Sequence, residues 1–136
     1  MKKTLLVILA AVGLAQLAGA RHMTADARQA DAATSSILSA IAAGRAGDVY
    51  YHRTTGEFRG ATPLANWQQT AERIRAMGEL RDIDRTRGDV RYGQEETVGE
   101  FAYDVCWRRG GGEVTVSMRK ESDGWKLLSI DFRREG

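Results

Sequence analysis

Cysteine, histidine and proline are almost missing from this chain. Cys106 is the single cysteine, Pro63 the single proline, and His22 and His52 are the only histidines. One thiol cannot close an internal disulfide, so packing has to hold the fold together. Two isolated imidazoles and one thiol do not make a zinc site. No P-loop, G-x-G-x-x-G, G-x-S-x-G, H-E-x-x-H or paired-cysteine motif occurs, so neither a metal nor a cofactor is expected. Gly110-Gly111-Gly112 follows no motif that would make it a phosphate cradle.

A surplus of one charge is also missing once the N-terminus is set aside. Residues 1–20 read MKKTLLVILAAVGLAQLAGA, with Lys2 and Lys3 ahead of an apolar run from Leu5 to Ala18 and the small residues Ala18-Gly19-Ala20 behind it. That is the pattern of a cleaved secretory signal peptide, and the run is short for a membrane span. No cysteine follows the small residues, which argues against a lipid anchor. The two leader lysines account for the whole formal charge of +2, so residues 21–136 carry 18 basic against 18 acidic groups. Nucleic-acid binding rests on surplus positive charge, and none is left. Residues 21–136 are read as one domain, exported to the periplasm or secreted, whose only membrane contact is through the leader. A chain of this size buries roughly two-thirds of its unfolded surface, enough for a core.

What is present is periodicity. Thr24 to Ala43 reads as a helix with Thr24 as cap and Asp26 in the first turn, where a negative charge suits the dipole. Met23, Ala27, Ala30, Thr34, Ile37, Leu38 and Ile41 recur at three- and four-residue steps, and Gly44 is placed to end it. Arg45 to Gly60 suggests short helical turns, one capped by Asp48 through His52 and one by Thr55 through Phe58. Thr62-Pro63 opens a further helix with Thr62 at the cap, Leu64, Trp67, Ala71, Ile74 and Met77 on its apolar side, and Gly78 as stop.

Leu80 to Tyr92 is extended and mixes Asp82, Asp84 and Asp89 with four arginines, as in an edge strand whose charges pair across the ladder. From Glu100 to Arg133 the chain alternates as an antiparallel meander. Phe101, Tyr103, Val105 and Trp107 share one face, and Asp104 and Cys106 fall on the other. Val114, Val116 and Met118 line the second of these runs. Gly110-Gly111-Gly112 and Ser122-Asp123-Gly124 are expected as turns. In the last run Trp125 and Leu127 oppose Leu128, Ile130 and Phe132, so either a bulge flips the register or both faces are covered. Left outward, Trp125 and Leu127 would form an apolar patch for a homodimer or partner.

Helix, helical turns, helix and four antiparallel strands make an α+β order, with N-terminal helices packed on a curved four-stranded antiparallel sheet. Gly47-Asp48-Val49-Tyr50, Gly56-Glu57-Phe58-Arg59, Trp67, Arg75-Ala76-Met77-Gly78 and Asp123-Gly124-Trp125-Lys126-Leu127 resemble small exported domains of unknown function. Those domains are similar to the cystatin-like, nuclear-transport-factor-like superfamily. The resemblance implies a curved sheet wrapped round a helix. It selects no activity, since that superfamily spans hydrolases, isomerases, binding modules and dimerisation domains.

Candidate chemistry is sparse. His52 could act as a base, and a Cys106–His52 nucleophilic pair is conceivable, but a cysteine alternating within a strand is usually packed. Asp104 is expected at the outer surface, paired with Arg119. Tyr50, Tyr51, Trp67, Tyr103 and Trp107 are candidates to line an aromatic ligand pocket between helices and sheet. The reading that follows is a non-catalytic accessory or interaction module, with a homodimer or a periplasmic protein partner on the outer sheet face. A small-molecule-binding domain, or a minor hydrolase or isomerase, is the alternative. Mass spectrometry of the exported protein should find Arg21 as its first residue, with Met1 gone.

Overall fold

The computed structural model describes residues 24–135. The leader, His22 and Met23 lie outside them. Four helices precede four strands: α1 (24–42), α2 (Ala46–His52), α3 (Gly56–Ala61) and α4 (Leu64–Arg75), then β1 (Leu80–Tyr92), β2 (Thr97–Trp107), β3 (Gly110–Glu121) and β4 (Gly124–Arg134). The strands form one antiparallel sheet in the order β1-β2-β3-β4. The chain is an α+β domain whose helices cover one face of this sheet.

The helix stops are local. Gly44 and Gly78 take φ of +83 and +84, a region closed to most side chains. At Gly44 the N–H of Gly44 donates to Ile41 O and that of Arg45 to Ala40 O, the paired bonds of a Schellman ending. The starts follow the expectations less closely. Thr24 is itself helical. Asp48 sits in the first turn of α2 and Arg45 holds the cap position, without a side-chain bond. Thr55 does cap α3, accepting from Phe58 N at 3.0 Å. Thr62 closes α3 rather than opening α4, and Pro63 stands at the α4 cap.

β1 is the edge strand, as its charge mixing suggests, but the charges do not pair across the ladder. The register sets Asp84 opposite Asp104 and Asp89 opposite Glu100. Arg91 reaches back along its own strand to Asp89 instead, at 3.4 Å. Two register shifts leave Arg81 and Thr86 as extra residues in β1. Such bulges bend a strand and spoil its edge as a template for pairing.

The β2–β3 turn is Arg108-Arg109 and not the glycine triplet, because pairing continues through Trp107 with Gly110 to Val105 with Gly112. The turn is drawn onto the α4–β1 connection: Arg108 N–H donates to Glu79 O at 2.8 Å and Arg109 N–H to Met77 O at 2.9 Å. The glycines serve the strand. A Cβ on Gly112 would stand 2.7 Å from Arg133 O and 2.9 Å from the Phe132 ring. The β3–β4 turn is Ser122-Asp123 with Gly124 beside it, close to expectation.

The two-faced pattern of β4 resolves as a bulge. Ser117 pairs with Ser129 and Met118 with Leu127, so Leu128 is the extra residue. Trp125 and Leu127 before it, and Phe132 after it, therefore all face the core, at 3%, 0% and 4% exposure. The outer apolar patch expected from Trp125 and Leu127 is not formed. Leu127 also anchors the β4 edge: its N–H donates to Arg53 O and its carbonyl accepts from Thr55 N–H, both at 2.9 Å. Truncation there removes packing and leaves a cavity. Leu127→Ala should cost about 2–5 kcal/mol, read as a lower urea midpoint with an unchanged slope.

Candidate functional site: polar groups beneath the first helix

The apolar stripe of α1 rests on the inner face of the sheet, and two carboxylates on the same helix fix where it rests. Asp26 is buried. It accepts from Tyr92 Oη at 2.6 Å and from Lys120 Nζ at 2.7 Å, reaching β1 and β3 together. Asp31, at the helix margin, accepts from Tyr103 Oη at 2.8 Å, and Arg85 Nη1 stands 3.6 Å from the same oxygen. Between them, Thr34 Oγ1 donates to Ala30 O and approaches the Met118 sulfur.

These pairings move the phenols in a defined direction. Desolvation, then the bond to Asp26, pushes Tyr92 up to about 12. Desolvation first, with the Asp31 bond also contributing, holds Tyr103 well above the usual phenol range. Neither phenol is a base near neutrality. The hydroxyls hold their protons to orient the helix, and the carboxylates are occupied as acceptors.

The five aromatic candidates are not gathered into one pocket. Trp67 and Tyr103 are each 1% exposed. Trp67 donates its indole N–H to Ala46 O at 2.8 Å, fastening α4 to α2. Tyr50 is buried, donates to Thr62 O at 2.8 Å and packs edge-on to Phe58, which packs edge-on to Trp67. Trp107 is buried at the other end of the sheet, edge-on to Phe132 at 5.3 Å. Tyr51 lies outside, 59% exposed. Four of the five are thus pieces of the core, and three of those four spend their polar ends on neighbouring protein.

The candidate catalytic groups are apart as well. Cys106 is an exposed free thiol on β2. His52 is exposed at the end of α2, and its carbonyl accepts from Lys126 Nζ at 2.5 Å. Lys126 faces Arg119, which faces Val98, so it marks the far end of β2 from Cys106. Eight residues of strand at ~3.3 Å each separate the two ends by about 26 Å, so the Cys106–His52 pair does not form. Asp104 is exposed, as expected, but not paired with Arg119. It stands between Asp84 and Glu113, whereas Arg119 lies six positions further along β3 and meets Glu57 at 2.9 Å, Glu121 at 3.5 Å and Glu96 at 3.7 Å. That bond to Arg119 holds the Glu57 carboxyl below its usual value. Among the described residues no group of three or more His, Cys, Asp or Glu side chains could hold a metal ion, and no helix is long and apolar enough to cross a membrane.

Sequence reasoning read Asp26 only as a helix-dipole charge and passed over Asp31. The available signal was their position beside the Ala27–Ala30 stripe, where a charged side chain is buried and needs a partner. Neither a family profile, nor a curated protein, nor a solved structure matches the chain.

A pH experiment tests the Asp26–Tyr92 contact. A phenol with a folded pKa near 12 and an unfolded value near 10 binds its proton more tightly when folded. Its contribution is complete below pH ~10 and is lost as pH rises through the folded value. Stability should fall across that window, and Tyr92→Phe should make the fall shallower, as read from urea midpoints between pH 9 and 12.

Proposed function

We propose that this chain is an exported accessory or interaction module without catalytic activity of its own, released to the periplasm or the medium by removal of residues 1–20. We place it with the cystatin-like, nuclear-transport-factor-like domains, on its element order and the residues that resemble them. One observation carries the functional reading: the aromatic groups between helices and sheet are packed shut. Trp67 and Tyr103, 1% exposed each, have their polar ends tied to Ala46 and Asp31. A catalytic pocket of the kind this superfamily resemblance implies would need an acid or base on an open wall there. The groups that could do such work, His52, Asp104 and Cys106, are all exposed and are spread over the outside of the fold.

The surface left for a partner is the outer sheet face, since the helices occupy the inner one. It is polar. Asp104, Glu113, Thr115, Ser117 and Ser129 stand on it, with Leu128 as a partly covered apolar residue at the bulge. Such a face suits a transient or wet contact better than an obligate one.

The test separates a binding surface from a catalytic group. The His52→Ala, Asp104→Asn, Cys106→Ser triple variant should keep the biological activity of the wild type, with circular dichroism and thermal midpoint unchanged. Loss of the phenotype in a folded triple variant would replace this reading with an enzyme.

A further inference from the structure

We propose that the cleft between α1 and β1 binds a small amphiphilic anion, a short-chain carboxylate. The proposal is independent of the function argued above. The cleft has a volume of about 260 Å³ and is lined by Ala27 on α1, by Arg85, Thr86, Gly88 and Val90 on β1, and by Phe101 on β2. At ~30 Å³ per water that is room for roughly nine water-sized groups, the scale of hexanoate.

Its lining is divided. Ala27, Val90 and Phe101 make an apolar side, and all three are core residues. Arg85 makes the polar side, and the β1 bulge explains why a guanidinium is there. Thr86 is the extra residue, so Arg85 pairs with Tyr103 on the helix-covered face while Arg87 pairs with Ala102. Bulges commonly re-aim a side chain beside a site in this way.

The guanidinium is under-used. Its side chain is 30% exposed, and its closest carboxylate oxygen, Asp31 Oδ1, is 3.6 Å away, too far for a hydrogen bond. That oxygen already accepts from Tyr103 at 2.8 Å. Among the described residues Arg85 makes no side-chain hydrogen bond, although it carries five N–H donors. Asp31 offsets part of the Arg85 charge, so a singly charged ligand fits better than a doubly charged one. A carboxylate can take two parallel N–H bonds from a guanidinium. Its alkyl arm then covers Ala27, Val90 and Phe101, where burial is favourable. Phosphate would meet the same cation but offers nothing to the apolar side.

The experiment is an amide NMR titration of residues 21–136 with sodium hexanoate, and with hexanol, acetate and inorganic phosphate in parallel. Hexanoate should move the amides of Ala27, Gly88 and Val90 saturably, with a Kd in the low millimolar range or tighter. Hexanol and acetate, each lacking one half of the ligand, should bind at least about tenfold more weakly, and phosphate likewise. Arg85→Gln should abolish hexanoate saturation, and Arg85→Lys should retain part of it. The proposal fails if hexanoate produces no saturable shift, or if the shifts map elsewhere. It fails equally if hexanol or phosphate binds as well as hexanoate, or if folded Arg85→Gln binds like wild type. Should Arg85→Gln not fold, the wild-type map and the three comparator ligands decide the matter.

Discussion

A carboxylate withdrawn from water needs a donor, and α1 carries two such carboxylates across the sheet. The apolar stripe from Ala27 to Ile41 holds the helix down, but apolar contact has no direction and tolerates sliding. Asp26 removes that freedom by reaching Tyr92 on β1 and Lys120 on β3. Asp31 does the same through Tyr103 on β2. With three strands addressed from one helix, position along and across the sheet is set at once. Removing one partner would strand the other without a charge to meet, which is why such pairs are more costly to break than they are profitable to form.

The same economy of polar groups shapes what the protein can do. Carboxylates and phenols that would be the natural proton-transfer groups beneath the helix are committed to holding it. Trp67 and Tyr50 use their polar atoms to join helices to one another. Arg119 is surrounded by Glu57, Glu96 and Glu121 and fastens α3 and the β1–β2 loop to β3. Arg85 stands apart, a partly covered cation whose nearest carboxylate is engaged elsewhere. A binding site is to be sought where the fold has donors left over.

The bulges decide the sheet's surfaces. Leu128 lets both ends of β4 face the core, so no apolar patch is left outside. Thr86 turns Arg85 inward while the rest of β1 keeps its charges at the edge. The other edge is covered because residues 53 and 55 bond to Leu127. One open edge, charged and irregular, and one open polar face are what the molecule presents.

Local patterns carried much of the fold. Helix ends at Gly44 and Gly78, the span Leu80–Tyr92, and the inward faces of β2 and β3 were legible because each depends on neighbours a few residues away: a left-handed glycine, or a period of two or of three to four. The β4 alternation even announced a bulge without saying which residue it was. What the sequence alone could not determine rests on distant pairs. The Arg108-Arg109 turn depends on carbonyls at Met77 and Glu79, the sense of the Leu128 bulge on its pairing with β3, and the site beneath α1 on contacts spanning 72 and 94 residues. No periodicity encodes such pairs. Asp31 is an ordinary helix carboxylate until the folded sheet brings Tyr103 to it, and only that meeting leaves Arg85 with donors to spare.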